Sequence, residues 1–268
     1  RIDALLGPGM NIQRNPLNRR NFEYFSEDPL LTGKIAAAQV RGMNRSGTTG
    51  TIKHFCGNNQ EFKRHEADSV ISERALREIY LKGFEIAVKE APAKAVMTSY
   101  GPVNGTWTAG NYDLVTRILR KEWGFSGIVM TDWWAAANRE CGESSPYIHA
   151  PMIGAQNDIF MVTKDASDMG QDDALEMLSA GEITRSDLVR NAKNILKFIL
   201  ESPAMLYQMN RISQEELDER SKEEDDVAPA DVQFCAFEDG GSHVSIRPET
   251  LHPAKGNSQQ RREGQRRM

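Results

Sequence analysis

The 268-residue sequence predicts an α/β fold, an incomplete TIM-type (β/α)8 barrel lacking its first strands. Three observations point there. Short apolar runs alternate with longer segments of helical period up to about residue 200, the pattern of βα units on a parallel sheet. Strand starts recur roughly every 30 to 45 residues, which accommodates about five or six units rather than eight. No G-x-G-x-x-G follows a strand, which removes the dinucleotide fingerprint, although a flavodoxin-like or Rossmann sheet stays open on pattern alone. The chain starts with Arg1 and runs almost at once into the apolar stretch Ile2 to Met10, so it is expected to be cut from something longer.

The elements follow in order. Strands are predicted over Ala4–Ile12, Gly50–Phe55, Ala95–Tyr100, Gly127–Trp133 and Asp158–Val162. Asp28 can cap a helix with Pro29 at its first position, and the stretch to Arg45 then carries Leu31, Ile35 and Ala38 on one face. Ser72 can cap the segment Glu73–Glu90, with Leu76, Ile79, Tyr80, Gly83, Ala87 and Val88 at helical spacing. Leu114, Val115, Ile118 and Leu119 make the next stripe, ended by Gly124. Thr184-x-x-Asp187 is a capping pattern for a last helix whose Leu188, Ala192, Ile195, Leu196 and Ile199 are expected to face inward. These stripes read as core.

After Pro203 the character changes. The domain is expected to end near residue 205, and residues 206–268 are expected to form a disordered tail, acidic over Gln214 to Asp226 and Gln/Arg-rich from Lys255. The Gln/Arg-rich stretch from Lys255 has no interleaved aromatic residues, which argues against a nucleic-acid-binding arm. With 33 Lys+Arg against 38 Asp+Glu and a net charge of −5, the chain has no basic field to attract nucleic acid or an anionic membrane. No run approaches the roughly 18 apolar residues of a membrane span. The three cysteines, Cys56, Cys141 and Cys235, are odd in number and far apart, which favours a reducing, cytoplasmic setting over a disulfide framework. His54, His65 and Glu66 lack metal-ligand spacing, so no metal or other cofactor is expected.

In a βα barrel the reactive side chains stand where strands end. The first strand is followed by Asn15-Pro16-Leu17-Asn18-Arg19-Arg20-Asn21-Phe22-Glu23. The second runs into Lys53-His54-Phe55-Cys56-Gly57-Asn58-Asn59-Gln60-Glu61 and Arg64, the third into Ser99-Tyr100, the fourth into Asp132-Trp133-Trp134. Cations and amides facing one lone carboxylate suit a neutral polyol such as a sugar, with an indole stacked on the apolar face of the ring. Asp132, ringed by Arg20, Lys53 and Arg64, should stay ionised and act as a nucleophile. Retaining glycoside hydrolysis would pair it with a second carboxyl group about 5 Å away. Glu61 and Glu66 are candidates for that acid, and loop salt bridges explain them equally well. Of the two indoles, one can be a ligand platform and the other core, because strand neighbours point to opposite faces.

Four motifs in order, Arg20-Asn21-Phe22-Glu23-Tyr24-Phe25-Ser26-Glu27-Asp28-Pro29, Lys53-His54-Phe55 through Arg64, Met97-Thr98-Ser99-Tyr100 through Gly105, and Met130-Thr131-Asp132-Trp133-Trp134, resemble the barrel domain of glycoside hydrolase family 3, the β-glucosidase group. The resemblance covers about residues 1 to 205. It implies a retaining hydrolase of terminal non-reducing β-D-glucosyl residues with Asp132 as nucleophile. It further implies that Arg20, Lys53, His54, Arg64 and Tyr100, with Trp133, hold the substrate. The family's acid/base glutamate usually comes from an α/β sandwich domain, which is expected to be missing here. Tyr112-Asp113-Leu114 and Gln156-Asn157-Asp158 look like members in which that domain precedes the barrel. Arg19 stands where the family usually has glycine, so the loop carrying Arg20 is expected to lose a backbone conformation open mainly to glycine.

Two alternatives stand beside this. The N-acetylglucosaminidase branch of the family typically shows Gly-His-Gly after Lys-His-Phe, whereas this loop reads Gly57-Asn58-Asn59. The other is a non-catalytic carbohydrate-binding remnant.

Overall fold

A computed structural model of the protein describes residues 3–138, 143–162, 171–225, 232–236 and 242–246. Two units separate, Arg1–Arg220 and Ser221–Met268. In the first, β1 (Ala4–Leu5), α1 (Pro29–Arg45), β2 (Thr49–Phe55), α2 (Glu73–Ala75), α3 (Lys82–Glu90) and β3 (Ala95–Thr98) are followed by a small antiparallel hairpin, β4 (Pro102–Val103) and β5 (Thr106–Trp107). Then come β6 (Ile128–Met130), α4 (Ala150–Gly154), α5 (Ala174–Ala180), α6 (Arg185–Leu200) and α7 (Pro203–Gln208). Leu76–Tyr80 and Asp113–Glu122 are π-helical.

The four long-range strands are parallel and ordered β1-β2-β3-β6, in register Ala4↔Thr49, Thr51↔Ala95 and Ala95↔Ile128. Spatial order therefore follows chain order, as barrel winding requires, whereas a doubly wound sheet reverses at a switch point. The expected first strand is much shorter than Ala4–Ile12, because Pro8 has no N–H to give the ladder. Pairing resumes beyond it, with Met10 N–H donating to the Lys53 carbonyl at 2.7 Å. The expected strand Asp158–Val162 is an extended segment joined to β6 by a single bridge, Met130↔Ile159. Its ladder stops there because the next amide, Met161 N–H, donates to the Thr131 hydroxyl at 2.8 Å instead of to a backbone carbonyl.

Two apolar layers flank the sheet. Val40, Ile52, Phe55, Phe84, Val96, Leu119 and Val129 fill the space under the helices. There the Phe55 and Phe84 rings meet edge to face at 5.3 Å. The other face carries Ala95, Met97, Ile128 and Met130, against which Leu6, Trp133, Ile159 and Phe198 pack.

The caps are where the sequence puts them. Asp28 accepts from Leu31 N–H, Ser72 from Ala75 N–H, and Thr184 with Asp187 forms a complete capping box. Gly124 ends its helix at φ 73°. Two buried faces differ from expectation. In α1 the buried residues are Thr32, Gly33, Ala36, Ala37 and Val40, whereas Leu31 is exposed. Small residues win there because α1 lies against α3 almost backbone to backbone. A Cβ on Gly33 would meet Ile86 Cβ at 2.8 Å and Gly83 Cα at 3.1 Å. In α6 only Asn191 is fully buried, and Ala192, Leu196 and Ile199 are exposed. Asparagines take the inward face because backbone and carboxylate partners wait there. Asn191 donates to the Asn157 carbonyl at 2.8 Å, and Asn194 to Asp158 at 2.9 Å.

The region 206–268, expected without structure, contains the helix α8 (Gln214–Asp225) and an antiparallel pair, β7 (Val232–Ala236) with β8 (Ser242–Ile246). The helix is favoured by Ser213, whose hydroxyl accepts from Glu216 N–H at 3.0 Å, and by acids in its first turn. The Gln/Arg-rich stretch from Lys255 lies outside the described residues.

Candidate active site

The C-terminal ends of β2, β3 and β6 and the loop after β1 bring six of the seven expected residues into one connected cluster. Asp132 follows β6 by two residues and is 6% exposed. Its Oδ1 accepts the Trp133 backbone N–H at 2.8 Å. Its Oδ2 is buried and stands 3.5 Å from His54 Nε2. Tyr100, beyond β3, directs its hydroxyl to the same carboxylate, and Lys53 and Arg20 lie close enough to act on it through charge.

The imidazole of His54 is fixed from two sides. Its backbone N–H donates to Asn11 Oδ1 at 2.8 Å and its carbonyl accepts from Asn11 Nδ2 at 2.9 Å, an amide clamp between the segment after β1 and the end of β2. Arg20 Nη1 lies 2.9 Å from His54 Nε2. Guanidinium can only donate, so Nε2 must accept and the proton of the neutral ring sits on Nδ1. With its Nε2 lone pair engaged by Arg20, His54 has no proton to offer Asp132. Burial, then the charges of Arg20, Lys53 and Arg64, push the His54 pKa well below the usual imidazole range, which keeps it neutral.

Arg20 is held in turn by Glu23, which accepts from its Nε, and by Glu61, 4.0 Å from the same nitrogen. Arg64 Nη1 donates to Glu61 Oε2 at 2.6 Å and its guanidinium lies 4.5 Å above the centre of the Tyr100 ring. His65 packs on that ring from 4.1 Å. Arg19 does not take a positive φ, so the loop carrying Arg20 closes without the backbone conformation open mainly to glycine.

Trp133 departs from the group. It packs on Ala95, Met97, Ile128 and Met130, so much of its indole serves the sheet face, and it stays half-buried beside Asp132. Trp134 turns away from regular strand geometry at φ 53°.

The model of the family described as "Glycosyl hydrolase family 3 N terminal domain" matches residues 1–198. The chain belongs to that family. A β-glucosidase of Ruminococcus albus is 59% identical over 206 residues, covering 76% of this chain and 22% of that protein. An exo-α-(1→6)-L-arabinopyranosidase of Bifidobacterium longum is 50% identical over 139 residues, 52% of this chain and 18% of that protein. Among solved structures, a β-glucosidase from Paenibacillus barengoltzii superposes with a TM-score of 0.74 at 56% identity, covering 76% of this chain and 22% of that one. β-Glucosidase 3B of Thermotoga neapolitana in complex with glucose gives 0.68 at 40% identity, covering 82% and 30%. The chain thus spans about a fifth of the length of the R. albus relative.

In this family 3 domain the pocket's charges alternate. Glu23, Arg20, Glu61 and Arg64 form a row along the loops, and Lys53 and Asp132 close it on the sheet side. The expectation that cations hold Asp132 ionised covers only part of the balance. Burial raises its pKa and outweighs the lowering by the Trp133 amide, Arg20, Lys53 and Tyr100. Lys53 is pushed down by burial, against the pull of Glu23 and Asp132. Three supporting residues have no role assigned from the sequence, although Tyr24 and Asn58 lie within its motifs. Asn11 clamps His54, Tyr24 donates to the Asn58 carbonyl at 3.4 Å, and Asn58 Nδ2 donates to Glu61 at 2.9 Å. An asparagine inside the apolar run Met10 to Ile12 was the available signal for the first. Among the described residues no cluster of His, Cys, Asp and Glu could hold a metal ion.

Proposed function

We propose that the protein containing this chain is a retaining β-glucosidase acting on terminal non-reducing β-D-glucosyl residues, with Asp132 as nucleophile. One observation carries the proposal: a buried carboxylate fixed by one oxygen to a backbone amide, with Arg20, Lys53 and the Tyr100 hydroxyl gathered round it. The similarity to β-glucosidases supports the sugar class. Asp132 Oδ2 attacks the anomeric carbon as the glycosidic bond breaks, and water later releases the sugar from the ester. Arg20, Lys53, Arg64 and Tyr100 bind hydroxyls and hold the carboxylate in line, with Trp133 at the mouth, and His54, whose Nε2 accepts from Arg20, seats that guanidinium. Glu23 and Glu61 are each paired with arginine, and the family resemblance implies that the acid/base carboxyl comes from a sandwich domain of the longer protein.

The test is covalent labelling of the full-length protein with a 2-deoxy-2-fluoro-β-D-glucoside. Mass spectrometry should find the sugar on Asp132. Label on any other residue would sink the assignment. The same protein should turn over nitrophenyl β-D-glucoside faster than nitrophenyl N-acetyl-β-D-glucosaminide or α-L-arabinopyranoside. The reverse order would reassign the sugar.

A further inference from the structure

We propose that Glu61 is a positioning residue that ties Arg20 to Arg64 and, through them, sets both side chains that stand against Asp132. The inference rests on the glycosidase reading and deepens it. Glu61 has a side chain only 9% exposed, and it is fully engaged. Oε1 accepts from Asn58 at 2.9 Å and faces Arg20 Nε at 4.0 Å, while Oε2 accepts from Arg64 at 2.6 Å. Two arms leave it. One runs through Arg20 Nη1 to His54 Nε2 at 2.9 Å, and His54 stands 3.5 Å from Asp132 Oδ2. The other runs through the Arg64 guanidinium, 4.5 Å over the Tyr100 ring, and the Tyr100 hydroxyl reaches the same carboxylate.

A buried carboxylate shared between two guanidinium groups removes the freedom of two long side chains at once, so each binds a sugar hydroxyl with less entropy left to lose. A general acid needs a proton to give and a free path to the leaving oxygen. Glu61 has no such free path, since arginine occupies one oxygen and asparagine the other. Its sequence position beside the pocket, which made it a candidate acid, is explained by anchoring.

The experiment compares Glu61→Gln and Glu61→Ala in the full-length protein. Gln keeps the shape and the contact with Asn58 but gives up the charge, which guards against a variant that fails to fold. The expected result for Glu61→Gln is a KM for nitrophenyl glucoside and a Ki for glucose both raised about tenfold, with kcat changed by less than about threefold. Azide should not restore either variant. Unchanged KM and Ki would overturn the proposal. So would azide rescue of Glu61→Ala with glucosyl azide as product, because that is the behaviour of a missing acid/base. A crystal structure of Glu61→Gln in which Arg20 and Arg64 keep their places would overturn it whatever the sugar. Failure of the wild type to hydrolyse any glycoside would strike the glycosidase reading instead, and the crystallographic arm would still decide the anchoring.

Discussion

Asp132 costs the fold stability at neutral pH. Its pKa in the folded protein is raised above the usual value near 3.8, burial being the largest cause, so the folded state holds this proton more tightly than the unfolded chain does. The penalty is absent below the unfolded value and fully present above the folded one. Asp132→Asn, which imitates the protonated form, should therefore raise the thermal midpoint at pH 7 by a few degrees. The gain should vanish as the pH falls toward 4, and a midpoint lowered at pH 7 would show that Lys53 and Arg20 need the carboxylate more than burial penalises it. At this scale the sequence was informative wherever a polar residue directly followed an apolar run. Lys53, His54, Tyr100 and Asp132 stand at or just beyond strand ends and Arg20 and Arg64 on the loops that follow, and strand ends converge. Asn11 escaped because its partner is the backbone of His54, a residue far along the chain, and nothing local announces such a pairing.

The helices show what periodicity misses. An apolar stripe marks a buried face only when the neighbour leaves room for side chains. Against α3 there is none at Gly33, and the buried face of α1 is the one with the smallest residues rather than the greasiest. Two substitutions on one helix separate these cases. Gly33→Ala should destabilise by about 1–3 kcal/mol, since its methyl group would overlap Ile86 and approach the Gly83 backbone. Gly42→Ala, on the same helix with nothing within 4 Å of the new Cβ, should stabilise by about 0.5–1 kcal/mol. Urea unfolding of both variants checks the pair, and equal effects would mean that α1 and α3 do not meet so closely. The α6 face was misjudged for the complementary reason. Its asparagines look solvent-directed in a sequence, yet Asn191 and Asn194 point inward to hydrogen-bond acceptors that only the folded sheet supplies.

Across the whole chain, the parallel winding was legible because βα units repeat, and the tail was less so because α8 depends on a cap and local charge rather than on an apolar face. The charge row around Asp132 has a further consequence. Arg20, Lys53 and Arg64 stand against Glu23, Glu61 and Asp132, so the pocket is close to electroneutral although the chain carries −5. A neutral sugar approaching a neutral pocket experiences no net steering, and there is little for dissolved ions to screen. The full-length protein should accordingly keep its kcat/KM within about twofold between roughly 0.05 and 0.5 M sodium chloride. A steep fall would mean that its preferred substrate is charged. Tolerance of brine would then follow from the balance of six side chains in one cleft.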